Sequence, residues 1–134
     1  MNDALYRPCV GLLAAFVLGV FSAAPAVAQV QRNFPQTALR GDLAFGLAPE
    51  VVLNGKPARL SPGSRIRAQD NMLVMSGALT GSRRLVHYTV DSSGLVHDVW
   101  ILRPEEAAKK PWPTSREQAG GWIFDSVAQT WTRP

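Results

Sequence analysis

Between Val51 and Leu102, short apolar segments alternate with turn residues through five cycles, and little of the stretch has the spacing of an amphipathic helix. Val51-Val52-Leu53 precedes Asn54-Gly55, whose residues tolerate the positive φ values of a type I′ hairpin turn, and Lys56 to Leu60 returns. Pro57 lacks a ladder donor, which assigns the returning segment to an edge or an irregular stretch. Ser61-Pro62-Gly63 reads as a turn into Ser64 to Arg67, and Gln69-Asp70-Asn71 as another into the wholly apolar run Met72-Leu73-Val74-Met75. Continuous apolarity predicts burial on both faces, so this run is expected at the centre of the core. A loop flanked by Ser76-Gly77 and Gly81-Ser82 follows. Leu85 to Val90 and Leu95 to Leu102 then predict the longest hairpin, turned by Asp91-Ser92-Ser93-Gly94. If Asp91 pairs with Gly94, His87 faces Asp98 and Tyr88 faces His97; a bulge at Gly94 breaks both pairs.

Ala38 to Phe45 predicts a first strand, weakened by Gly41. It contains Arg40-Gly41-Asp42, a tripeptide associated with adhesion, which needs an exposed loop to act. Beyond Leu102 the pattern changes. Pro104 with Glu105 and Glu106 behind it starts a short helix, and Pro111-Trp112-Pro113 stops it. Thr114 with Glu117 reads as a capping box for a second helix that ends at Gly120-Gly121. Trp122 to Phe124 and Gln129 to Trp131 predict a closing hairpin. The expected fold is mainly β: a small antiparallel barrel or sandwich of six to eight strands with short C-terminal helices and a closing hairpin. Residues 29–37 form an extended lead-in and 38–134 a single β-domain.

The N-terminus is read separately. Arg7 precedes an apolar centre from Val10 to Phe21, and Ala26-Val27-Ala28 supplies small residues where a signal peptidase cuts. Residues 1–28 are thus expected to be a signal peptide, with the protein periplasmic or secreted. Cys9 to Ala28 is long enough to span a bilayer as an uncleaved anchor, but its second half is filled with small residues and proline. Cys9 precedes the apolar run rather than following it, which argues against lipoprotein acylation. It is the single cysteine, so the chain after cleavage has none and holds together by burial alone.

Charge adds a candidate surface. From Arg32 to Arg84 eight Lys and Arg residues stand against three acids, whereas from Leu85 onward five bases stand against six acids. Arg65 and Arg67 alternate on one strand and project from one face. With Arg59, Arg83 and Arg84 as expected neighbours they form a candidate face for an anionic envelope component or an acidic protein. Export argues against nucleic acid, and cleavage removes the spanning segment. All four tryptophans lie between 100 and 131. Trp112, Trp122 and Trp131 are the candidate aromatic surface, against the plainer reading of a tail that wraps the β-domain.

Candidate chemistry is sparse. The sequence has no cysteine nucleophile in the processed chain, no Gly-x-Ser-x-Gly elbow, no phosphate loop and no isolated carboxylate pair. His87 and His97 are the only histidines, without a visible third partner. Met72, Met75 and the histidines are copper-ligand types, but core packing accounts for the methionines, and no cofactor or metal is expected. The stretch Leu53 to Arg67, with Asn71 to Gly77 and Val99 to Leu102, resembles a group of small exported bacterial proteins of unknown function. That resemblance covers most of the processed chain and implies a Gram-negative periplasmic home. Val86 to Val90 through Gly94 to Val99 is similar to the final hairpin of TonB-type energy transducers, over one hairpin only. The expected function is a non-enzymatic envelope binding or accessory module, monomeric or weakly associated. The alternative is an interaction protein recognised through its tryptophan-rich tail.

Overall fold

In the computed structural model, which describes Gly19 and residues 30–134, strand β1 (Leu39–Phe45) runs alternately into and out of a closed barrel. The expected export segment and its cleavage site lie outside the described residues, apart from Gly19. Residues 31–134 form a unit of their own that holds both apolar cores and every strand found among the described residues. β2 (Glu50–Leu53) returns along β1, and Asn54 and Gly55, at φ 52° and 80°, turn it into β3 (Lys56–Arg67) with Leu53 opposite Lys56. This is the two-residue turn that Asn-Gly predicts. Pro57 pairs with Val52 in the part of β3 that has β2 as its one partner strand, where a missing donor is tolerated.

Two expectations fail within this region. Ser61-Pro62-Gly63 does not turn the chain: β3 runs on through it, and the irregularity appears as a register shift between Leu60 and Arg65. Turn-type residues here produce a bulge because both flanking segments already have partners in one sheet. Nor is Met72 to Met75 the core's centre. Only Leu73 and Val74 form a strand, β4, which pairs with the end of β3 and nothing else. Only Val74 packs towards the core, while Met72, Leu73 and Met75 are exposed.

A 3₁₀ turn at Ser76–Leu79 leads to β5 (Arg83–Val90), and β6 (Val96–Ile101) follows the Asp91–Gly94 turn. Asp91 accepts from the amides of Ser93 and Leu95 through Oδ1, and Gly94 takes φ 82°. The Gly94 amide donates to the Asp91 carbonyl while the Asp91 amide donates to the Leu95 carbonyl, a bulge at Gly94, and a second shift lies between Val90 and Tyr88. His87 therefore faces Trp100 and Tyr88 faces Val99, so neither expected pair forms.

Around the barrel the order is β1, β2, β3, β6, β5 and back to β1, with β3 and β6 parallel and the other contacts antiparallel. Of the two expected architectures, the barrel is the one found. Its interior is filled by Leu43, Val86, Val96, Val99, Tyr88, Ile66 and their neighbours. Gly41 sits opposite Val86, and the absence of its Cβ admits the Tyr88 ring.

The chain beyond β6 packs on the outside. Helix α1 (Pro104–Ala107) has proline in its first turn, and the Glu106 carboxylate accepts from the Arg103 amide. Helix α2 (Arg116–Gly121) is capped by Ser115, one residue later than expected, whose Oγ accepts from the Gln118 amide. β7 (Ile123–Asp125) and β8 (Thr130–Thr132) form the closing hairpin. With Phe34 of the lead-in and Ala38 just before β1, the tail builds a second core of Leu102, Trp112 and Trp131 against the outer face of β1, β5 and β6.

Candidate functional site

The five arginines of the expected face separate into two kinds. Arg59 is held by Glu50, its Nε donating to Oε1 at 2.8 Å, and Arg83 forms an ion pair with Asp42. The hydrogen bond from Arg83 holds the Asp42 carboxyl below its ordinary range and raises the guanidinium in turn. Arg65, Arg67 and Arg84 have no ion pair among the described residues. Arg84, second in β5, stands opposite Leu43, whereas Arg65 and Arg67 lie two strands away on the far side of β6. The five do not share one face. What remains is the pair Arg65 and Arg67, separated by the inward Ile66 and so both outward on β3. Asp98 stands opposite Arg65 in the ladder, but its carboxylate accepts from Thr89 Oγ.

The candidate aromatic surface is corrected more fully. Trp112 and Trp131 are 5% and 3% exposed and form the second core, edge to face at 6.1 Å. Trp122 is half-buried beneath the Arg133 guanidinium, 5.2 Å away. Apolar area this large is withdrawn from water when a bare sheet face is available to receive it. The tail wraps the barrel, with Trp112 and Trp131 turned into the second core. Arg40-Gly41-Asp42 lies in β1 with Arg40 buried, which leaves no exposed loop for adhesion.

Two arginines that sequence reasoning passed over are the most deeply engaged. Arg32 donates to both carboxylate oxygens of Glu106 and to the carbonyls of Ala68 and Ile101. Burial alone would raise the Glu106 carboxyl, but hydrogen bonds from Arg32 and the Arg103 amide carry it below the ordinary value. Arg40 donates to the carbonyls of Glu106, Ala107 and Lys109, closing the open end of α1, and its Nε reaches His87 Nε2 at 3.3 Å. His87 is stacked on Trp112 at 4.0 Å with Phe34 edge-on at 4.4 Å. Burial first, then Arg40 and Arg32, lower its pKa to about 2, so the ring is neutral and Nε2 accepts. Its Nδ1 has no hydrogen-bond partner among the described residues. The partners of both arginines lie 36 to 74 residues away, a separation that no local pattern signals.

His97 is elsewhere, sharing a 2.8 Å hydrogen bond between its Nδ1 and Ser61 Oγ. Among the described residues no three His, Cys, Asp or Glu side chains gather as metal ligands. Met72 adjoins Leu73, which His87 reaches only across Trp100 and Arg67, so the row separates the methionine from that histidine by three strand spacings.

A groove of about 550 Å3 runs beside β3, walled by Ala48 and Pro49 of the β1–β2 loop, Ser61, Ser64, Ser76 and Leu95. The groove lies where the β1–β2 loop, β3 and the turn before β6 meet. No family model, curated protein or solved structure matches the chain.

Proposed function

We propose that this chain is a non-enzymatic binding module of the cell envelope, exported and cleaved after Ala28, that docks an anionic partner through the outer face of β3. The observation that supports this reading is the placement of Arg65 and Arg67 on one face, neither held in an ion pair among the described residues. Guanidinium forks grip phosphate or carboxylate bidentately, and two side by side favour a partner carrying several such groups. The test is titration of the Gln31–Pro134 unit against phosphorylated glycans and an acidic-protein fraction at low and high salt. Binding is expected to weaken with salt and to be lost in R65E/R67E. R59E should do far less, because Arg59 is already held by Glu50. Affinity indifferent to salt and to the double substitution would remove the reading.

A second reading rests on the groove. The hydroxyls of Ser64 and Ser76 and the Arg59 side chain, with Pro49 and Leu95 as apolar walls, suit an oligosaccharide segment. S64W, which fills the groove, would abolish that binding, and R65E/R67E would leave it unchanged.

A further inference from the structure

We infer that β4, with the turn after it, is a wedge that seats the domain on the surface of an anionic lipid bilayer. The inference rests on the reading of Arg65 and Arg67 as the anion-contacting pair and names their partner. Met72, Leu73 and Met75 are 65%, 64% and 81% exposed, three of four consecutive residues in a run without a polar side chain. Arg67 is the ladder partner of Leu73. Directly paired residues stand on the same face of a sheet, so Leu73 projects beside Arg67, with Arg65 next along the same face. Apolar side chains are therefore flanked by two cations that no acid among the described residues holds in an ion pair.

This combination matches the boundary between headgroups and acyl chains. Thioether and isobutyl groups enter it, and guanidiniums hold the phosphates above them. The patch suits a protein partner less well. Each side of a standard protein interface buries about 800 Å2, well beyond three side chains. A strand added to this edge would find two residues of ladder.

The Gln31–Pro134 unit has no cysteine, so M75C gives a single labelling site for an environment-sensitive fluorophore. The probes are vesicles of phosphatidylethanolamine with phosphatidylglycerol, vesicles of phosphatidylcholine, and soluble glycerol phosphate. On the anionic vesicles the domain should cosediment and the label's emission should move to the blue, with neither effect on phosphatidylcholine or glycerol phosphate. Each basic residue near such a surface contributes about fivefold in affinity, so R65E/R67E should weaken vesicle binding about thirtyfold or more. M72S/L73S should weaken it about tenfold or more, keep the thermal midpoint, and leave any arginine-dependent binding to soluble anions unchanged. Salt-sensitive, arginine-dependent binding to phosphorylated glycans without vesicle binding would overturn the bilayer and spare the arginine surface. Vesicle binding that M72S/L73S leaves intact would overturn the wedge. Self-association abolished by M72S/L73S, without vesicle binding, would make a second copy the occupant. Loss of arginine dependence throughout would remove both readings.

Discussion

A methyl group at Gly41 would come within 2.8 Å of Tyr88 Cε1 and 3.0 Å of Leu53 Cδ1, so the smallest substitution there disturbs the barrel interior. Gly41→Ala is expected to cost about 1 to 3 kcal/mol and Leu43→Ala about 2 to 5, while Leu73→Ala stays within about 0.5. Urea unfolding of the three variants checks the ordering, and equal midpoints for Leu43→Ala and Leu73→Ala would contradict it. His87 sets a different dependence. Its unfolded value of 6.5 falls to about 2 in the fold, so below pH 6.5 the unfolded chain binds a proton that the folded chain refuses. Stability is whole above that pH and declines as pH is lowered towards about 2, by up to about 1.4 kcal/mol per unit. Glu106 acts in the same direction lower down, its contribution being present above the unfolded 4.5 and lost as pH falls through its depressed folded value. His87→Gln should therefore flatten the stability profile between 6.5 and 4.5 and keep the decline below. Chemical denaturation across that range reads the slope directly.

Among the elements, those whose signal is local were legible: the Asn54-Gly55 turn, the Asp91–Gly94 turn, Pro104 in the first turn of α1 and the β7–β8 hairpin to within a residue. The failures share a cause. Apolarity in Met72 to Met75 and turn chemistry in Ser61 to Gly63 are local facts, but their outcome depends on how many neighbouring strands are present. β4 has one, so Leu73 and the flanking methionines stay outside; β3 keeps its partners through the bulge, so its turn residues do not turn it. Register in the β5–β6 hairpin was open for the same reason, since two separate shifts decide it. The tail was legible as a wrapping element but not as a second core, because its other half, Phe34 and His87, comes from far upstream. Trp131→Ala is expected to cost about 3 to 5 kcal/mol, as much as a truncation inside the barrel, although Trp131 lies outside it. A midpoint shift no larger than that of Leu73→Ala would show that the tail is dispensable to stability.

For the molecule as a whole, the positive excess of the first half is partly internal wiring. Arg32 and Arg40 bind the backbone and carboxylate of α1, and of the five candidate arginines the sequence could not say which an acid would claim. The pair on β3 emerged only once Glu50 and Asp42 had been placed. The same long-range wiring joins the two ends of the unit. The Phe34 amide donates to Gln129 Oε1 at 2.8 Å, and Gln129 Nε2 donates back to the Phe34 carbonyl at 3.5 Å, across 95 residues. A chain made from its N-terminus onward can close the barrel as soon as β6 has emerged. Its outer layer has to wait for β8, which carries Trp131. Until then Phe34, His87 and Trp100 remain an uncovered sticky face, so the growing protein is complete in its barrel and unfinished in its coat.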